Sequence, residues 1–208
     1  MMAEQNMKEF IDVLSSKAAV PGGGGACAYV AAAGMALGSM VANLTTGKKK
    51  YAEYQQEIDE ILEKAEVISK ELIEYMDKDA ESFEPLSKAY GLPKETEEQA
   101  AYKEQVMEKA LMDASLTPIA LMEKIMEALR ILDRLSVVGS RLAVSDVGAG
   151  VQLCKAALNG ASLNVFINTK LMKNTEAAEE MNVKADELII EGNELADRIY
   201  ETVIDAIR

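Results

Sequence analysis

An all-α fold is predicted by three features of the sequence. Apolar residues recur at steps of three or four through most of its length, as a helix with one buried face requires. A stretch from Val20 to Gly47 carries no charge and is half Ala and Gly, as a helix packed closely by its neighbours requires. No strand-rich region appears. The expected architecture is one domain over residues 1–208, an elongated bundle of about seven helices around a central Ala/Gly-rich helix.

The elements follow in order. Met2 to Ser16 is expected as a short helix with Phe10, Val13 and Leu14 among its apolar positions. Pro21 and Gly22, Gly23, Gly24 and Gly25 then suggest a flexible turn entering a helix N-terminus. The central helix is expected over Ala26 to Thr46, fully surrounded by others, with Gly34 and Gly38 allowing close approach and Gly47 as its left-handed stop. Twenty or so uncharged residues can also span a bilayer. Ser39, Asn43 and Thr45 within the stretch, and the weak partitioning of Ala and Gly, favour a core helix instead.

A long helix is expected from about Tyr51 to Tyr90, on the stripe Ile58, Ile61, Ala65, Ile68, Leu72, Met76, Ala80 and Phe83. At 1.5 Å per residue such a helix is roughly 60 Å long, which suggests that a second subunit covers part of it. Asp79 falls on the apolar side of this helix, while Asp77 and Glu81 point away. A carboxylate there needs a partner or a shifted pKa, so Asp79 is either a structural hydrogen-bonding group or a chemical one.

Gly91 and Pro93 end the helix, and Thr96 with Gln99 forms a capping box for the next. That helix is expected to kink or restart at Thr117-Pro118 and to continue to about Leu135. Ser145 is expected to cap a helix over Val147 to Leu158, with Asp146 in its first turn and a stop at Asn159-Gly160. Ala161 to Lys170 is ambiguous between helix and strand; as a helix it places Asn164 and Asn168 on one face. Asn174 to Arg208 is a last amphipathic helix, with Met181, Ala185, Leu188, Gly192, Leu195 and Ile199 facing inward.

Composition removes several classes of function. Lys and Arg total 22 against 35 Asp and Glu, a net charge of −13, which disfavours nucleic acid and anionic membrane as partners. There is no histidine, so Ser-His-Asp and Cys-His catalysis and most zinc sites are excluded. Acid–base work falls to Asp, Glu, Lys, Tyr or Cys. The two cysteines, Cys27 and Cys154, lie in apolar helical contexts and are expected to be reduced, in a cytoplasmic protein. The glycine-led helix start and the cluster Lys48, Lys49 and Lys50 could receive an anionic ligand, although lysines also commonly complement a helix C-terminus.

The ordered set PGGGG, AAAGMALGSMVANLT, GKKKY, DKDAESF, VSDVG and LNVFIN resembles the cyclodeaminase/cyclohydrolase family of folate enzymes over nearly the whole chain. The resemblance implies an all-α homodimer acting on a one-carbon tetrahydrofolate, with no metal and no cofactor beyond the folate itself. It implies hydrolysis of 5,10-methenyltetrahydrofolate to 10-formyltetrahydrofolate, or closure of 5-formiminotetrahydrofolate with loss of ammonia. Bifunctional cyclodeaminases carry Cys and Arg just before the Ser-Asp pair. Ala143 and Val144 stand there here, which favours hydrolysis. On this resemblance Asp79, Asp146 and Lys50 are the candidate catalytic groups. Gly22 to Gly25, Asn43, Ser145, Asn164 and Asn168 would shape the substrate pocket, and Lys48 and Lys49 would meet the anionic glutamate tail.

Overall fold

A computed structural model describes residues 2–208. Six α-helices carry the fold: α1 (Met7–Leu14), α2 (Gly23–Asn43), α3 (Gln55–Tyr90), α4 (Glu97–Val138), α5 (Val144–Thr169) and α6 (Thr175–Ile207). Short 3₁₀ segments precede α1, α3 and α5, and among the described residues there is no strand. The expectation of about seven helices is therefore one too many.

The excess arises where local signals were overridden. Asn159-Gly160 does not stop α5, which runs unbroken from Val144 to Thr169 and absorbs the ambiguous Ala161 to Lys170 segment. Gly160 has a packing role instead: a Cβ there would come within 2.6 Å of the Cys27 sulfur. Ser145 is not the N-cap of α5; that position is Ala143, with no side-chain cap, and Ser145 is exposed inside the first turn. Pro118 sits inside an uninterrupted α4, held by the buried residues Ile119, Met122, Ile125 and Met126 that follow it. The Thr96–Gln99 capping box forms as expected, and Asn174 caps α6.

The glycine run is a further correction. Gly23, Gly24 and Gly25 are the first turn of α2, and Gly22 is its N-cap. Gly47 does adopt a positive φ of 72°, but α2 has ended at Asn43, so Gly47 turns the connecting loop instead.

α2 packs against α3, α5 and α4, and it runs antiparallel to α5. Gly34 lets the two backbones meet, since a Cβ there would lie 2.8 Å from the Gly150 carbonyl oxygen and 2.7 Å from the Cys154 sulfur. Backbone cannot retreat as a side-chain tip can, so small residues are required along this seam. α2 is not fully surrounded, however. Gly23, Ala33, Ala36, Met40 and Asn43 face outward, as do Ala149, Gln152, Leu163 (66% exposed) and Ile167 (58% exposed) of α5. Together they make one uncharged outer face on an otherwise acidic protein. α2 is also the one described helix long and apolar enough to cross a membrane, and half of its apolar window is buried inside the fold.

Candidate active site

The start of α2 makes the candidate site. Asp79 on α3 reaches across to it, and Gly25 N–H donates to Asp79 Oδ2 at 2.9 Å. A Cβ on Gly24 would lie 2.8 Å from Asp79 Oδ2 and would overlap Oδ1, so only glycine fits beside the carboxyl group. Gly23 faces Asn164 of α5, whose amide atoms lie 3.7 Å from where its Cβ would be. The Asp79 side chain thus sits on the positive end of a helix dipole with one amide donor in place. Ser82 Oγ donates to the Asp79 main-chain oxygen at 3.0 Å, one turn along α3.

These groups line a cavity of about 230 Å³ with Gly22, Gly23, Asp79, Asn164 and Asn168 on its wall. Five of the candidate residues are therefore brought together, with Gly24 and Gly25 directly behind Asp79. Ala19, Val20, Ser82, Phe83, Ala114 and Ile167 complete the wall and were not picked out from sequence as site residues. Ala114 could have been: it lies four residues before Pro118, so its carbonyl has no helical donor.

Burial sets the electrostatics here. It pushes the Asp79 carboxyl above its usual range, and the Gly25 N–H only partly offsets this. Cys27, one turn into α2, has its thiol pushed up to about 11 by burial and then by the Asp79 charge. Cys154, deeper in the α2–α5 seam, is pushed up to about 12 by burial. Both are thiols near neutral pH, which makes them packing groups and not nucleophiles.

The remaining candidates lie at the other end of α2. Asp146 is 18 residues from Asn164 on the same helix, about 27 Å away at 1.5 Å per residue. Asn43 ends α2, and its Nδ2 donates to the Ser39 carbonyl at 2.9 Å. Lys48, Lys49 and Lys50 follow it and are exposed, with Lys50 Nζ 5.5 Å from the Tyr51 ring centre. Tyr51 pins this loop to the start of α5: its hydroxyl accepts from Arg141 N–H at 3.0 Å, which lowers its pKa. Buried Thr45 does the same by accepting from Ser140 N–H at 2.8 Å. Within one chain, then, Asp79 and Asp146 do not share a pocket. A larger groove of about 630 Å³ between α3 and α4 is bordered by the Glu57–Arg134 pair and by Lys124, and it holds none of the candidates.

The chain belongs to the formiminotransferase-cyclodeaminase family, whose model matches residues 6–187. The chain is 38% identical to the methenyltetrahydrofolate cyclohydrolase of Methylorubrum extorquens, across 98% of each chain. It is 27% identical to the formimidoyltransferase-cyclodeaminase of Mus musculus over 91% of this chain but 35% of that longer protein. Its fold superposes on the crystal structure of formiminotetrahydrofolate cyclodeaminase from Thermotoga maritima with a TM-score of 0.83 and 28% identity, covering 100% of this chain and 98% of that one.

Proposed function

We propose that this protein is a cytoplasmic enzyme that hydrolyses 5,10-methenyltetrahydrofolate to 10-formyltetrahydrofolate. The similarity to the cyclohydrolase over the full length of both chains supports that substrate, and the Asp79 cavity carries the chemistry. The methenyl carbon is a cationic amidinium, already open to attack by water. The protein need only take a proton from the water and give one to the departing ring nitrogen, so the reaction calls for no cofactor beyond the folate. A carboxylate raised toward neutral pH by burial suits the first task.

The site is proposed to be completed by a second copy. The cavity is smaller than the roughly 300 Å³ at which ordinary small-molecule sites begin, so it holds a ring system and not a whole folate. The outer face of α2 and α5 is uncharged, whereas like charges elsewhere on a −13 protein would resist self-association. A two-fold axis across the middle of α2, near Ala33, would set the Gly23 end of one protomer beside the Asn43 end of the other. The partner's Asp146 would then hold the cationic bridge. The partner's Lys50 would supply the proton to nitrogen, and Lys48 and Lys49 would receive the glutamate tail.

Loss of the methenyl chromophore in a non-catalytic neutral buffer tests the reaction, and the expected result is decay faster than the blank. Decay at the blank rate, with the chromophore appearing from 5-formiminotetrahydrofolate instead, would establish the cyclodeaminase, the activity for which the Thermotoga maritima relative is named. The shared site makes a separate prediction. Asp79→Asn and Asp146→Asn proteins, each inactive alone, should recover about a quarter of wild-type activity when unfolded together and refolded, because every mixed dimer holds one intact site. A mixture as inactive as its components would place the whole site within one subunit.

A further inference from the structure

Pro118 lies inside α4 and has no amide N–H, so the Ala114 carbonyl has lost its helical partner. Ala114 is one of the residues lining the Asp79 cavity. Asn168, projecting from α5, satisfies it: Asn168 Nδ2 donates to the Ala114 oxygen at 3.0 Å. Reversing the amide would set two acceptors against each other in a partly buried place, which costs the hydrogen bond and adds repulsion. The bond therefore fixes which way the amide points. With one Nδ2 hydrogen bonded to α4 the amide is held in one orientation, and Oδ1 is the acceptor it offers the cavity. A free asparagine could present either end and so discriminate nothing.

We infer that Pro118 is a positioning residue which, through the Ala114 carbonyl, locks Asn168 as an acceptor and so selects a ligand edge carrying an N–H donor. Resting on the folate reading above, the edge is that of the 2-amino-4-oxopyrimidine ring, whose 2-amino group would donate to Asn168 Oδ1. Asp79 remains free for the water and the bridge. A buried acceptor left without its donor is penalised, so the site rejects the analogue lacking that amino group.

Fluorescence titration with pterin and with 4-oxopteridine, which lacks the 2-amino group, tests this without turnover. Wild-type protein should prefer pterin by about tenfold or more, the worth of one such bond. In Pro118→Ala the new N–H takes the Ala114 carbonyl and frees the Asn168 amide to turn. The preference should fall at least about threefold, and KM for the methenyl substrate should rise by more than kcat falls. The melting temperature should hold or rise, because a helix loses a proline and gains a hydrogen bond. Adding Asn168→Asp to Pro118→Ala should restore the preference, since a carboxylate has only acceptors to offer. An unchanged preference in Pro118→Ala, or no recovery in the double variant, would overturn the inference while leaving the enzyme's reaction intact. Wild-type protein that bound neither pteridine would overturn the folate reading with it.

Discussion

Asp79→Asn is expected to lower kcat/KM by roughly 10² to 10⁴, the usual contribution of a placed general base, without lowering stability. The two halves of this result have one cause. Burial disfavours the ionised carboxyl, so its folded-state pKa lies above the unfolded value. A raised pKa means that the group's contribution to stability is present in acid, below the unfolded value, and is lost as pH climbs through the folded value. At neutral pH the native carboxylate therefore opposes folding, and what it retains is reactivity. Asparagine keeps an oxygen for the Gly25 N–H and removes the charge. Melting curves should accordingly show the variant equal to wild type in acid and equal or more stable near neutral pH. Activity of the wild type should rise with pH through an apparent pKa above the ordinary carboxylate range, and the variant should lack that limb. A variant that melted well below wild type at neutral pH, with activity falling only in proportion, would make Asp79 a structural group.

The second large effect is expected at Gly24. Alanine is the better helix former by about 1 kcal/mol, so on propensity alone Gly24→Ala and Gly25→Ala should both stabilise the first turn of α2. Their surroundings differ. At Gly25 a Cβ would meet Pro21 Cβ at 3.5 Å and the Met76 oxygen at 3.7 Å, ordinary contacts. At Gly24 it would run into the Asp79 carboxyl group. Overpacking of this kind costs about 1–3 kcal/mol and exceeds the propensity gain. Gly24→Ala should therefore lose stability and nearly all activity, while Gly25→Ala holds its melting temperature. Adding Asp79→Ala to Gly24→Ala should return the lost stability and none of the activity. If Gly24→Ala alone kept both, Asp79 would have room that the structure does not give it.

Much of the fold was legible because helices are written locally. The stripe from Ile58 to Met76, the Thr96–Gln99 box and the inward set of α6 depend on residues three and four apart, and all appear where their spacing put them. The errors share a physical origin. Gly23 to Gly25, Asn159-Gly160 and Pro118 are helix breakers by local propensity, worth a few kcal/mol at most, and packing against neighbours outweighed it in every case. The residues that looked like punctuation have tertiary roles: Gly24 lies beside Asp79, Gly160 beside Cys27, and Pro118 leaves the Ala114 carbonyl to Asn168.

By itself, the sequence determined the helical class, the absence of histidine chemistry, the family and the residue types available for acid–base work, because each of these follows from composition, spacing or motif order. Only the tertiary structure decided which candidates meet. Asp79, Asn164 and Asn168 converge on the start of α2, because α3 and α5 cross it there, while Asp146 and the lysines lie a helix length away. Convergence of residues 54 or more positions apart is a property of how helices pack, and no local pattern encodes it.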